Sequence, residues 1–143
     1  MKSKIVSTSE PLRPRELDRA ERVLGRKIPR PYREFLQRHN GGQPETPDFK
    51  MTNGDQLAAV KSFLGVDLPE ETLNLEYVLS TFRDQVPARF FPFARDPGGN
   101  LMCIAENGPD AGKIYFWDHE RETDNMTVVA DTFDEFLGKL GKV

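Results

Sequence analysis

The front of the chain contains two segments whose apolar residues repeat at helical spacing. The first starts at Pro14, a residue suited to the first turn of a helix, and stops at Gly25. The second is signalled by Pro31 and runs to His39, ahead of an Asn-Gly-Gly stop. Its apolar face consists of Tyr32, Phe35 and Leu36. These patterns predict a pair of helices.

Two further helical patterns lie later in the chain. Residues 69–84 are predicted to be helical in their second half, where an apolar face is formed by Leu75, Val78, Leu79 and Phe82. Near the end, Asp131-Thr132 offers a capping residue for a helix. Behind it an apolar face is formed by Phe133, Phe136, Leu137 and Leu140.

Apolar runs between turn residues predict the strands. One or two short strands are expected within residues 48–52 and 60–65, with a turn at Asn53-Gly54. The strongest strand signals are residues 89–94, 101–105, 113–118 and 126–130. Short turns connect these later runs, which predicts an antiparallel meander.

The element order ααβαβββα predicts an α+β fold. We expect one domain, because 143 residues are enough to bury a core without a disulfide or a structural metal. Its sheet should be mainly antiparallel, with about four to six strands covered by helices. The expected boundaries are an N-terminal tail over residues 1–12 and a single domain over residues 13–143.

The charged residues are unevenly distributed along the chain. The net charge is −3, but residues 1–45 carry 11 Lys and Arg against 6 Asp and Glu, and residues 46–143 carry 9 against 17. The acidic excess is densest after residue 105. With a pI of about 5.5, the chain lacks the basic balance of a nucleic-acid-binding domain. We therefore expect no direct nucleic-acid ligand and look to the carboxylates for a partner surface.

Composition also limits location and cofactors. The first residues lack the apolar run of a signal peptide, and no window approaches the length of a membrane span. We therefore expect a cytoplasmic protein with no membrane contact. One cysteine and two histidines make a Cys/His zinc site untenable, and we expect no cofactor and no metal.

Four blocks of sequence resemble the SUKH superfamily, which is named after a fungal cell-wall synthesis regulator and its bacterial relatives. The first block comprises Leu24-Gly25, Ile28-Pro29, Tyr32, Phe35-Leu36 and Asn40-Gly41-Gly42. The others are residues 93–100, which hold an Asp-x-x-Gly-Asn turn, residues 112–120 and residues 130–137. The blocks occur in the family's order and span residues 13 to 140, while residues 43–87 match least.

The resemblance implies a non-enzymatic α+β domain. Many such domains are bacterial immunity proteins that bind and neutralise a cognate toxin, nuclease toxins among them. Our leading hypothesis is therefore an immunity-type binding protein. The alternative is a regulatory or scaffolding domain of the cell-wall regulator type, and an enzyme of unknown type is third. The sequence leaves the toxin and the oligomeric state open.

We expect the acidic residues, and the aromatic residues beside them, to contact a basic toxin. The candidate partner-binding residues are Asp96, Tyr115, Trp117, Asp118, Glu120, Glu122 and Asp124. A second set is expected to build the fold: Gly25, Pro29, Tyr32, Phe35, Leu36, Asn40, Gly41, Gly42, Gly99 and Phe133.

The sequence contains few side chains that could act in catalysis. Cys103 lies in an apolar strand, where a buried and inert thiol is expected. His119 is flanked by Asp118 and Glu120 and is the best acid–base candidate, but a surface histidine is the simpler interpretation. These residues, with Asp96 or Asp131, leave a hard cation as a further alternative. We expect no catalytic residue.

Overall fold

A computed structural model describes residues 2–52 and 56–143 and shows an α+β fold, as the sequence predicts. The turn predicted at Asn53-Gly54 lies outside the described residues. In chain order the elements are β1 (Ile5–Val6), α1 (Pro14–Leu24), α2 (Arg30–Leu36), β2 (Gln43–Pro44), β3 (Asp48–Lys50), β4 (Leu57–Ala59), β5 (Ser62–Phe63), a 3-10 helix (Glu71–Leu73), α3 (Leu75–Thr81), β6 (Phe90–Arg95), β7 (Leu101–Ala105), β8 (Ile114–Trp117), β9 (Met126–Ala130) and α4 (Phe133–Lys139).

The main sheet has five antiparallel strands in the order β5-β6-β7-β8-β9, so the predicted meander is confirmed. β6 contains Pro92, which has no N–H to give to a strand ladder. The register between β6 and β7 shifts between Pro92 and Ala94, which marks a bulge. The irregularity explains how an internal strand accommodates a proline.

The register places the connections at two opposite ends of this sheet. Arg95 pairs with Leu101, Leu101 with Trp117, and Trp117 with Met126, so these residues form one row across four strands. The connections 96–100 and 118–125 therefore leave the sheet at the same end. The connection 106–113, between β7 and β8, leaves at the other end.

Local sequence accounts for the predicted helix ends. α1 starts at Pro14, and Glu16 Oε1 accepts the Arg13 N–H at 3.0 Å. It ends at Gly25, whose φ of 72° is left-handed and whose N–H donates to Glu21 O. At α4, Thr132 Oγ1 accepts the Glu135 N–H at 3.0 Å, so the predicted cap is present.

An aromatic cluster joins two helices to the sheet. Tyr32 and Phe35 of α2 meet Phe133 of α4 and Phe93 of β6, with ring centroids 5.2–5.7 Å apart in the edge-on contacts of Phe133. All four side chains are buried. The Tyr32 hydroxyl donates to Leu64 O, so its polar atom is satisfied inside the core. Edge-to-face packing of this kind stabilises beyond the buried area alone.

Several details differ from the sequence expectation, three of them in the first half of the chain. β1 and β2 pair with each other and were not predicted, because two-residue strands leave no periodic signal. The predicted strand over residues 60–65 is observed only at β5, while β4 starts earlier, at Leu57. α2 ends at Leu36 rather than His39, because the chain tightens into a turn there.

Candidate partner-binding surface

Five of the seven predicted partner-binding residues lie at one end of the main sheet. Asp96 opens the connection 96–100, and the connection 118–125 holds Asp118, Glu120, Glu122 and Asp124. Asp96 and Asp118 are partly buried, and the other three are exposed. We name residues 96–100 and 118–125 the acidic end.

The longer connection is folded by its own hydrogen bonds. The Asp118 N–H donates to Asn125 O at 2.8 Å, which closes the loop at its base. Asp118 Oδ1 accepts the Glu120 N–H at 3.0 Å, and Asn125 Nδ2 donates to Arg121 O at 3.2 Å. Asp124 takes the left-handed conformation with φ of 48°, which Asp tolerates better than most residues. The loop thus holds its exposed carboxylates on an ordered backbone.

Asn100 connects the two parts of the acidic end. Its Oδ1 accepts both the His119 N–H at 3.0 Å and the His119 Nδ1–H at 2.6 Å. Its Nδ2 donates to Asp96 Oδ2 at 2.8 Å, and Asp96 Oδ1 accepts the N–H groups of Gly98 and Asn100. An amide oxygen that only accepts places the His119 proton on Nδ1. The predicted Asp-x-x-Gly-Asn turn is therefore tied to the predicted His119 segment.

Sequence reasoning missed this role of Asn100. The turn is visible in the sequence, but the contact with His119 depends on the register between β7 and β8, which no local pattern encodes. The His119 ring also lies against Gly99, where an added Cβ would come within 3.4 Å of Cε1.

No carboxylate of the acidic end forms an ion pair with another residue of the ranges 2–52 and 56–143. Among the described residues, three basic side chains belong to this end or border it: Arg121 in the longer connection, Arg95 at the end of β6, and Lys61, whose N–H donates to Arg95 O. Five carboxylates thus face solvent or amide groups rather than guanidinium or ammonium groups. Such charges act on an approaching charged partner, because their field is not cancelled locally.

The two predicted aromatic anchors are not at the exposed part of this surface. Trp117 is only 3% exposed and packs edge-on against Phe82, with centroids 5.5 Å apart, so the expectation that it contacts a partner is corrected. Alternation along β8 does not reveal that α3 covers this residue. Tyr115 is partly buried; its ring packs on Phe90 and its hydroxyl donates to Asp110, toward the opposite end of the sheet.

At that opposite end the carboxylates are paired. Arg26 Nη2 lies 2.9 Å from Glu106 Oε2, and Arg89 binds both oxygens of Asp110 at 2.9 Å. Lys113 lies 3.6 Å from Asp131, which follows β9. We name residues 106–113 with Asp131 the ion-paired end. Apart from Asp134 and Glu135 in the first turn of α4, the acidic residues after residue 105 therefore fall into two groups with different surroundings.

Hydrogen bonds set the protonation of the ion-paired end. The bonds from Arg89 and then from Tyr115 hold the pKa of Asp110 well below its usual range, because both donors favour the charged carboxylate. The same bond to Asp110 raises the pKa of the Tyr115 hydroxyl. The three side chains form one network in which charge is satisfied within the protein.

The predicted fold-building residues occupy structural positions around α1 and α2. Gly25 ends α1, and Pro29 O accepts the N–H groups of Tyr32 and Arg33 at the start of α2. Phe35, Leu36 and Phe133 are buried in the core, as Tyr32 is.

The Asn40-Gly41-Gly42 segment secures a neighbouring loop. Asn40 is buried, and its side chain both donates to Val66 O and accepts the Val66 N–H, each at 2.9 Å. Gly42 has φ of 106°, and a Cβ there would lie 2.8 Å from Val6 O. Its carbonyl accepts the Phe63 N–H at 2.8 Å. The segment therefore joins the end of α2 to β1 and β5.

The candidate catalytic groups are placed as follows. Cys103 is buried as predicted, and burial raises the pKa of its thiol, so the reactive thiolate is disfavoured. His119 is exposed at the acidic end and is held by Asn100. Within the described ranges, no three His, Cys, Asp or Glu residues converge as a metal site requires. No described helix is long and apolar enough to cross a membrane.

Comparison with known proteins gives two matches. The sequence profile of the SMI1 / KNR4 family (SUKH-1) matches residues 11–139 of the chain. The SPbeta prophage-derived uncharacterized protein YokK of Bacillus subtilis (strain 168) is 27% identical over 154 residues, which cover 94% of this chain and 75% of that protein. Both matches extend over the acidic end, the ion-paired end and the aromatic core.

Proposed function

The chain belongs to the SMI1 / KNR4 family (SUKH-1), as its four sequence blocks predicted, and on that premise we propose that it is an immunity-type binding protein. It neutralises a cognate protein toxin by direct contact, without turnover and without a cofactor, in the cytoplasm. The prophage origin of the Bacillus relative fits such a role.

The observation that carries this proposal is the acidic end. Its five carboxylates are unpaired among the described residues and are presented by ordered connections: Asp96, Asp118, Glu120, Glu122 and Asp124. A nuclease toxin binds polyanions and is therefore basic at its active site. An inhibitor with this surface gains association rate by electrostatic steering and then occludes that site.

The test is co-expression with a protein that is encoded beside this gene and arrests growth when it is expressed alone. We expect growth to be rescued and the two proteins to elute together from a sizing column. If neither rescue nor a complex is observed, the immunity proposal is wrong for this chain.

The regulatory or scaffolding alternative gives a different result in the same experiment. A scaffold binds its partner while the partner's activity persists. A stable complex whose toxin remains fully active would therefore support the scaffold and contradict neutralisation.

A further inference from the structure

A hollow of about 360 Å³ opens beside the acidic end, between the 3-10 helix and the connection 96–100. Lys61 and Arg95 both line it, and residues 96–99 form one of its walls. Two of the three basic side chains that belong to the acidic end or border it therefore lie at a single hollow.

Neither of these two cations is neutralised by a carboxylate of the described ranges. Lys61 is exposed, and neither Lys61 nor Arg95 forms an ion pair with a residue of those ranges. Arg95 is positioned by neutral groups instead. Its Nη1 donates to Thr72 O at 3.0 Å, and its guanidinium carbon lies 5.8 Å from the centre of the Phe82 ring. The hollow therefore holds two positive charges in fixed surroundings.

Among the described residues, Asp96 is the single carboxylate that lines the hollow, and its oxygens are engaged. Its Oδ1 accepts the N–H groups of Gly98 and Asn100 at 2.9 and 2.7 Å, and its Oδ2 accepts Asn100 Nδ2 at 2.8 Å. The lining thus has two free cations against one carboxylate that is bonded to amides. This balance favours an anionic group in the hollow.

A partner that covered the acidic end with basic groups alone would meet a penalty at this hollow. Residues 96–99 belong to both the acidic end and the hollow, so a protein bound at the first also contacts the rim of the second. A uniformly basic surface would place like charges against Lys61 and Arg95 and remove both from water. A carboxylate of the partner at this position offsets both effects.

We propose that the hollow receives an Asp or Glu side chain of the toxin and that Arg95 and Lys61 thereby fix the orientation of the complex. This inference rests on the proposed function: the acidic end attracts a basic partner, and the hollow selects a partner with an acidic group at the matching position. Thr72 O uses one N–H of the Arg95 guanidinium, and the planar group has further donors that pair with a carboxylate. Lys61 adds a second positive charge from its exposed position.

The test measures association and dissociation separately, by surface plasmon resonance, with the growth-arresting protein encoded beside this gene as the partner. Lys61→Gln removes one positive charge at an exposed position. We expect its dissociation rate to rise about fivefold to tenfold without slower association, because the lost contact forms only in the complex. Lys61→Arg keeps the charge and should dissociate within about twofold of the native rate.

The matched control is Lys142→Gln, which removes an exposed lysine without an ion pair in the described ranges. Both of its rates should stay within about twofold of the native values. Arg95→Gln should raise the dissociation rate at least as much as Lys61→Gln. Because Arg95 also binds Thr72 O, urea denaturation checks that this variant remains folded, and Lys61→Gln provides the test if it does not.

The direction of the change separates this proposal from simple repulsion. If Lys61 only repels a basic partner, Lys61→Gln associates faster and dissociates no faster than the native protein. That result, or equal dissociation of Lys61→Gln and Lys142→Gln, would overturn the inference and leave neutralisation of the toxin intact. If the native protein forms no complex, the proposed function fails, and this inference fails with it.

A charge-reversal selection identifies the acidic group of the partner. Lys61→Glu should weaken the complex about tenfold or more, and variants of the partner that restore binding are selected from a library of point substitutions. We expect the restoring substitutions to change Asp or Glu of the partner to Lys or Arg. Restoration only by changes at basic or apolar residues of the partner would contradict a carboxylate in the hollow.

Discussion

The two ends of the main sheet contain the same kind of side chain in different surroundings. At the ion-paired end, Glu106 and Asp110 bind arginines that are 80 and 21 residues away in the chain. At the acidic end, the carboxylates accept backbone N–H groups or extend into solvent. Carboxylates that are close in sequence therefore do not form one surface. The fold places some of them in ion pairs that stabilise the protein and leaves others able to contact a partner.

The two ends differ because they connect different parts of the protein. The ion-paired end joins the sheet to the segment that follows α1, because Arg26 contacts Glu106 and Ala88 O and lies 5.2 Å from the centre of the Phe91 ring. The acidic end joins only two neighbouring connections, and Asn100 does this with a neutral amide. We therefore expect substitutions at the first to affect stability and substitutions at the second to affect binding.

The largest stability effect is expected for Arg26→Ala. The change removes two hydrogen bonds from the guanidinium, one of them to the Glu106 carboxylate, together with the contact on Phe91. We expect a loss of about 2–3 kcal/mol in the free energy of unfolding, measured by urea denaturation. Arg22→Ala, one turn earlier and exposed, is the matched control and should cost less than about 0.5 kcal/mol. Similar losses in both variants would mean that the ion-paired end does not hold α1.

A smaller effect is expected at the junction within the acidic end. Asn100→Ala removes the acceptor of two His119 hydrogens and the donor to Asp96. The expected cost is about 1–2 kcal/mol, and hydrogen exchange of the His119 amide should become faster. Asn107→Ala at the opposite end is the control, because only the Asn107 carbonyl is used. If His119 exchange stays slow in Asn100→Ala, the junction is not what orders this end.

The third prediction concerns pH and has the smallest effect. Because the folded-state pKa of Asp110 lies below its unfolded value, the protein gains stability from this group at pH values above the unfolded pKa, near about 4. That gain is lost as the pH falls toward the folded pKa. The stability difference between the native protein and Asp110→Asn should therefore be constant from pH 7 to about pH 5 and shrink below about pH 4.

Urea denaturation of both proteins between pH 2.5 and 7 measures this dependence. Asp84→Asn, which removes an exposed carboxylate without an ion pair in the described ranges, provides the comparison. A difference for Asp110→Asn that does not change with pH would show that the Arg89 and Tyr115 bonds do not act through ionisation.

Local signals predicted much of the fold. α1 was predicted with both of its ends, and β7 and β9 with their full ranges, because Pro14, Gly25 and the turn residues act within a few positions. β1 and β2 were missed because they pair across 37 residues and more. Because strands of two residues leave no local hydrophobic pattern, the sequence does not indicate that these two segments pair.

The candidate site was predictable only in part. The sequence predicted the exposed carboxylates of residues 118–124, whose role in binding stays a prediction. It named Trp117 as a candidate anchor without showing that this residue is buried, because strand alternation does not tell which face of the sheet is covered. It did not separate Glu106 and Asp110 from the acidic end, because their arginine partners are brought near only by the fold. The Asn100–His119 bond depends on register in the same way.

The most direct test of the central claim is the association rate with the cognate toxin, measured by stopped flow at several salt concentrations. One variant neutralises the acidic end: Asp118→Asn, Glu120→Gln, Glu122→Gln and Asp124→Asn. The control removes the same net charge from exposed carboxylates without ion pairs in the described ranges: Glu10→Gln, Glu45→Gln, Glu71→Gln and Asp84→Asn. Both variants should unfold at nearly the same urea concentration as the native protein.

We predict that the acidic-end variant associates about tenfold more slowly at low salt and loses most of its salt dependence, while the control stays within about twofold of the native rate. Equal rates for the two variants would contradict the claim that the unpaired carboxylates at this end of the sheet guide the partner.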